Sequence, residues 1–234
     1  MGPALAHRTA RRTPASSVAG FTLVEILVAL AIISVIMGVV LTGNASFNKS
    51  ILLNEAAYGI ATSIREAQSL GIANRGMNTN AGYGFQVSPG ESGVSAYDIF
   101  SDFFPYQWDE NTCYPSQDPN LPSAKPGNCR YDAEMGELVK HYTLREGFTI
   151  AKVCGTHQYY GYIVCSDNSG QNVQEVDIVF SRPNTDAIMT AYAYDGSPLF
   201  RLSLTTIYVR GQDGALRCVT VRDTGQIAVP QTCP

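Results

Sequence analysis

Chemistry in this sequence begins with a carboxylate where none is expected. Between Phe21 and Leu41 the only charged side chain is Glu25. A lone carboxylate in hydrocarbon is costly, so Glu25 calls for a place at an interface or for a cationic partner. Six cysteines form the second reactive set: Cys113, Cys129, Cys154, Cys165, Cys218 and Cys233. In an exported domain an even number of cysteines reads as disulfides, and six of them allow fifteen pairings. Sequential pairing is the expectation, because Cys113–Cys129, Cys154–Cys165 and Cys218–Cys233 each bracket a plausible loop. A metal centre is the competing use of the thiols, but no Cys-x-x-Cys occurs and the only histidine near them is His157. No metal and no cofactor is expected. His141 and His157 lie near no nucleophile motif, and the chain has no Gly-x-Ser-x-Gly, no phosphate-cradling loop with lysine and no His-Glu-x-x-His. Asp167-Asn168-Ser169-Gly170 and Asp213-Gly214 offer oxygens to calcium without a full run of spaced carboxylates; turn formation explains them more simply. The chain therefore does not read as an enzyme.

The elements that carry these residues follow from periodicity. The run from Phe21 to Leu41 is long enough to span a bilayer, since about 20 helical residues rise roughly 30 Å. Beyond the soft spot at Gly38 and Gly43, Leu53, Ala56, Ala57, Ile60, Ile64, Ala67 and Gly71 recur at spacings of three and four, which predicts an amphipathic helix ending near Asn74. After Gly76 the pattern changes to β. Ten strands are expected, at 84–87, 95–100, 137–144, 148–153, 161–165, 173–180, 187–194, 199–209, 215–221 and 226–229. Turn residues such as Asp195-Gly196, Asp213-Gly214 and Asp223-Thr224-Gly225 separate them. Residues 102–132 form a long aromatic and proline-rich insertion, which Cys113 and Cys129 would staple.

Charge gives the orientation. The first 20 residues hold Arg8, Arg11 and Arg12 and no acid, so the formal charge of -4 leaves the remainder at -7. Basic residues ahead of an apolar helix place the amino end in the cytoplasm and the carboxyl end outside. An acidic exported part is a poor partner for nucleic acid.

Gly20-Phe21-Thr22-Leu23-Val24-Glu25, with a basic leader before it and an apolar helix after it, resembles a type IV prepilin or pseudopilin. The resemblance implies cleavage between Gly20 and Phe21 by a prepilin peptidase and N-methylation of Phe21. It also implies a role for Glu25 in neutralising the terminal ammonium of a neighbouring subunit during assembly. Ala19 departs from the family, where a basic residue is common. The final hairpin, Cys218–Val221 to Gln226–Val229, is similar to the carboxyl end of H-type minor pseudopilins and of T- or U-type minor pilins, whose heads hold two packed sheets.

The fold expected is α+β: a long amino-terminal helix, membrane-spanning and then amphipathic, packed on a β-rich two-sheet head. Its divisions are a leader at 1–20, a transmembrane and assembly half-helix at 21–43, an amphipathic half at 44–76 and a disulfide-bonded head at 77–234. The implied function is a structural subunit, of minor type, in a type IV pilus or type II secretion pseudopilus. It would be held by one span in the inner or cytoplasmic membrane before assembly. Its partners would be prepilin peptidase, other pilin or pseudopilin subunits and the membrane assembly platform. Two alternatives are a DNA-uptake minor pilin and a membrane-anchored exported enzyme or receptor. Against the first, the hairpin tip Asp223–Ala228 lacks the arginines of DNA-binding relatives, although Arg201, Arg210, Arg217 and Arg222 lie upstream. A secretory cut near Gly43-Asn44-Ala45, leaving Ser46 first, is the rival to cleavage at Gly20.

Overall fold

The computed structural model describes residues 20–73 (side chains of 41–47 excepted), 82–89, 93–103, 127–167, 173–181, 185–193, 196 and 198–234. The chain divides into two compact units, Met1–Ser46 and Phe47–Pro234.

In the first unit the apolar stretch is helical. Helix α1 spans Leu23–Ala73, and its residues before Phe47 belong to this unit. Leu23–Val40 has a mean hydropathy of 2.8, long and apolar enough to cross a membrane, and none of it is buried within the molecule. A helix that is apolar on all sides is suited to lipid or to packing among other helices.

The second unit is a β-rich head around the rest of α1. Its strands are β1 (Gly82–Val87), β2 (Ala96–Asp102), β3 (Leu138–Thr143), β4 (Thr149–His157), β5 (Ile163–Cys165), β6 (Glu175–Phe180), β7 (Ala187–Tyr192), β8 (Pro198–Arg210), β9 (Leu216–Arg222) and β10 (Ile227–Ala228). Every pairing between them is antiparallel. The order is β10-β9-β8-β7-β6-β1-β2-β3, with β4 also on β8 and β5 on β4. The two sheets are joined through β8. Its first residues pair with β7, where Arg201 faces Thr190, and its later ones run between β4 and β9, where Ile207 faces both Val153 and Val219. A strand that changes neighbours along its length turns one sheet into the next. β4 continues four residues past the expected end at Val153, because the β5 hairpin extends its ladder to Thr156 and β8 carries it to His157.

The helix stripe read from the sequence forms the centre of the core. Leu53, Ala57, Ile60, Ala61, Ile64 and Ala67 are buried together with Phe85, Ile99, Ile150, Ile178, Phe180, Met189 and Ile207. Each fully buried large aliphatic side chain contributes about 1.5–3 kcal/mol relative to exposure. Polar ties fix the helix on the sheet. Ser63 Oγ lies 3.0 Å from the Tyr97 hydroxyl, Tyr142 donates to Glu66 at 2.8 Å and Lys140 pairs with Glu66. Gln68 donates to the carbonyls of Thr185 and Gly225, at 3.2 and 3.0 Å.

Candidate processing and assembly site

Thr22 and Glu25 organise the start of α1. The Thr22 backbone N–H and hydroxyl both donate to Glu25 Oε2, each at 3.0 Å, while the Glu25 N–H donates to Thr22 Oγ1 at 3.2 Å. This reciprocal arrangement is a capping box: the cap residue and the third helical residue satisfy each other's otherwise orphaned N–H groups. Its signature, Thr-x-x-Glu, stands in the sequence at 22–25, and a reading of Glu25 as a lone carboxylate overlooks it. The carboxylate also faces the positive end of the helix dipole. Among the described residues Glu25 Oε1 has no hydrogen-bond partner. Gly20 and Phe21 precede the helix, both exposed, Phe21 by 82%. The peptide bond between them lies outside regular structure.

The cysteines stand in the head. Cys154 and Cys165 are bonded across facing positions of β4 and β5, with Cα atoms 4.0 Å apart. Cys218 on β9 is bonded to Cys233, Cα atoms 5.6 Å apart, and Tyr208 packs against these sulfurs while donating to the Pro234 carbonyl at 2.6 Å. Cys129 is disulfide-bonded, and Cys113, its expected partner, lies outside the described residues.

A group of buried carboxylates escapes sequence reading. Asp102 accepts the backbone N–H groups of Asn128 and Cys129 at 2.8 and 3.0 Å, and Asp177 accepts that of Tyr131 at 2.9 Å. Glu137 accepts those of Phe103 and Asp132, at 3.0 and 2.9 Å. Three acids thus hold the segment 127–132 against β2 and β6. Burial pushes the Asp102 carboxyl well up from its ordinary value, with the charge of Glu137 adding to it. Burial likewise raises Asp177, which Glu175 raises further, and Glu175 itself is raised by burial. The arrangement clamps a loop.

Of the other sequence candidates, Asn168, Ser169 and Gly170 lie outside the described residues. Asp167 pairs with Lys152 at 3.1 Å, and Asp213 accepts the Ala215 N–H in its turn. Among the described residues no group of three or more metal-ligating side chains is placed to hold an ion. His141 meets Asp98 at 2.6 Å. Arg217 donates to Asn54 on the helix at 2.6 Å and to the Gln231 carbonyl at 3.3 Å. Five positions along the same strand, Arg222 points to the opposite face. Arg217 and Arg222 therefore do not share a face of β9.

Residues 16–41 match the prokaryotic N-terminal methylation motif. The methylation motif takes in Gly20, Phe21, Thr22 and Glu25 together with the apolar turns that follow, the leader and helix of a type IV prepilin. It supports a processed subunit of the type IV pilin or pseudopilin kind, with processing by prepilin peptidase and assembly with other pilins. The apolar helix fits a membrane anchor. No curated protein and no solved structure matches the chain.

Proposed function

We propose that the chain is a structural, non-enzymatic minor subunit of a type IV pilus or type II secretion pseudopilus, cut between Gly20 and Phe21 and methylated on Phe21. The methylation motif over residues 16–41 carries this reading. The order of strands and the carboxyl-terminal hairpin support a head of the minor type. Before assembly the α1 span is held in the inner membrane with the head outside. During assembly, contacts with lipid are exchanged for contacts with neighbouring helices, and the platform in the membrane drives the exchange.

Glu25 then serves twice. In the single chain it closes the capping box with Thr22. In the filament its carboxylate receives the new ammonium of a neighbouring Phe21. Each charge alone is costly in an apolar surround, and pairing them removes most of that penalty. A misaligned helix leaves both unpaired, so the pair sets subunit register.

The test is Glu25→Ala in cells, followed through membrane fractionation, cleavage and recovery in sheared filaments or cross-linked pseudopili. The variant should insert and be cleaved but enter filaments poorly. Normal incorporation of Glu25→Ala would overturn the register role.

A further inference from the structure

The tip of the β4–β5 hairpin has no part in the processing site or the helix packing described above, yet it gathers several exposed aromatic side chains. Its sequence, His157-Gln158-Tyr159-Tyr160-Gly161-Tyr162-Ile163, contains no acidic or basic residue other than the histidine. Tyr159 is 81% exposed, Tyr160 78%, Ile163 66% and Tyr162 44%. The imidazole of His157 is buried at their base. Its centroid lies 4.8 Å from both Tyr160 and Tyr162 and 5.3 Å from Phe200. The rings of Tyr160 and Tyr162 are nearly parallel, 13° apart at 6.2 Å.

This tip is held rigid from several sides. The Cys154–Cys165 bridge closes the hairpin three residues before His157. The His157 N–H donates to the Tyr162 carbonyl at 2.9 Å and the Gly161 N–H to the His157 carbonyl at 3.0 Å. Gly161 adopts φ +69, a left-handed conformation that a side chain would strain, and so turns the chain between the two tyrosines. The Tyr159 and Tyr160 N–H groups both donate to His157 Nδ1, at 3.1 and 3.3 Å. With Nδ1 accepting, the neutral ring carries its proton on Nε2, and among the described residues that N–H has no acceptor.

We infer that this tip is a binding site for a neutral glycan, recognised by stacking of pyranose rings on Tyr160 and Tyr162 and by hydrogen bonds from the tyrosine hydroxyls, Gln158 and His157. Four observations select that ligand. The surface is aromatic, with the Tyr160 and Tyr162 rings nearly parallel, and the apolar C–H face of an all-equatorial pyranose is the complement of such a ring. The polar groups at its rim are neutral donors and acceptors, matched to hydroxyls and not to phosphate or carboxylate. Preorganisation by the disulfide and the turn lowers the ordering cost that weakens small-ligand binding. The area is small: at roughly 200 Å² for each aromatic side chain, the exposed parts of the three tyrosines come to about 400 Å². That is about half of the ~800 Å² per partner in a standard protein interface, and it suits a chain of two or three sugars. The inference stands apart from the filament reading and survives or fails without it.

The test uses the full chain in a zwitterionic detergent without a sugar headgroup, with cellohexaose and chitohexaose as probes in saturation-transfer NMR and calorimetric titration. At least one saccharide should bind, with transfer to its ring C–H protons. Tyr160→Ala and Tyr162→Ala should each weaken binding about tenfold or more. Tyr160→Trp should retain it, and Tyr58→Ala, on an exposed part of α1, should leave it unchanged. Circular dichroism and thiol assay of the alanine variants establish that fold and disulfide persist. Failure of both saccharides to bind overturns the inference, and so does binding that ignores the tyrosine substitutions. Binding of a decaproline peptide at the same tyrosines in place of either saccharide would make the tip a peptide site and overturn it equally.

Discussion

Gly71 and Gly59 lie on the same helix and should respond to the same substitution with opposite signs. A Cβ built on Gly71 would stand 2.3 Å from the Phe180 carbonyl oxygen and 2.8 Å from its carbon, so the neighbour is the backbone at the end of β6. Ordinary contact begins near 3.4 Å. An overlap of about 1 Å against backbone cannot be relieved by a rotamer change, and overpacking of this kind costs typically ~1–3 kcal/mol. Alanine's better helix propensity returns up to ~1 kcal/mol. Gly71→Ala should therefore destabilise the head by about 1–2 kcal/mol. At Gly59 the added Cβ meets nothing within 4 Å. There only the propensity acts, and Gly59→Ala should stabilise by about 0.5–1 kcal/mol. Urea titration of the full chain in detergent, followed by far-UV circular dichroism, measures both midpoints. A Gly71→Ala midpoint equal to or above that of the parent would refute the close approach of helix and β6, and with it the packing from which the core is argued.

Three further outcomes follow from the sites described. Burial, then Glu175, raises the Asp177 carboxyl, so the folded head holds that proton more tightly than the unfolded chain does. Its stabilising effect is complete below the ordinary Asp range and is lost as pH rises through the raised folded value. Asp177→Asn keeps an oxygen for the Tyr131 N–H and cannot ionise, so its stability should fall less than that of the parent as pH rises above the ordinary Asp range; a steeper fall in the variant would contradict the sign. Removing the Cys154–Cys165 bridge with paired serines frees a loop with a sequence separation of 11 and should cost about 3 kcal/mol in the chain-entropy model, read as a lower urea midpoint. Glu25→Ala should be cleaved and inserted yet scarce in filaments, as set out above.

Much of the head is written in local pattern. Runs of β-formers bounded by Gly, Asp and Pro mark the ten strands found among the described residues, and the stripe from Leu53 to Ala67 marks the buried face of the helix. Local pattern ends where partners are distant. Nothing local marks Asp102 and Asp177 as buried, because the N–H groups they accept lie 26 and 46 residues away. The length of β8 is visible as an uninterrupted run, but its change of neighbours depends on where β4, β7 and β9 arrive. The capping box is the opposite case. Thr22 and Glu25 are three residues apart, and their contact was open to reading.

The central claim concerns the amino terminus, and mass spectrometry of the mature chain tests it most directly, on sheared filaments and on membranes separately. The account predicts a chain that begins at methylated Phe21, in filaments for a pilus subunit or in membranes for a short pseudopilus. A chain that begins at Ser46 or at Met1 in both fractions would contradict it.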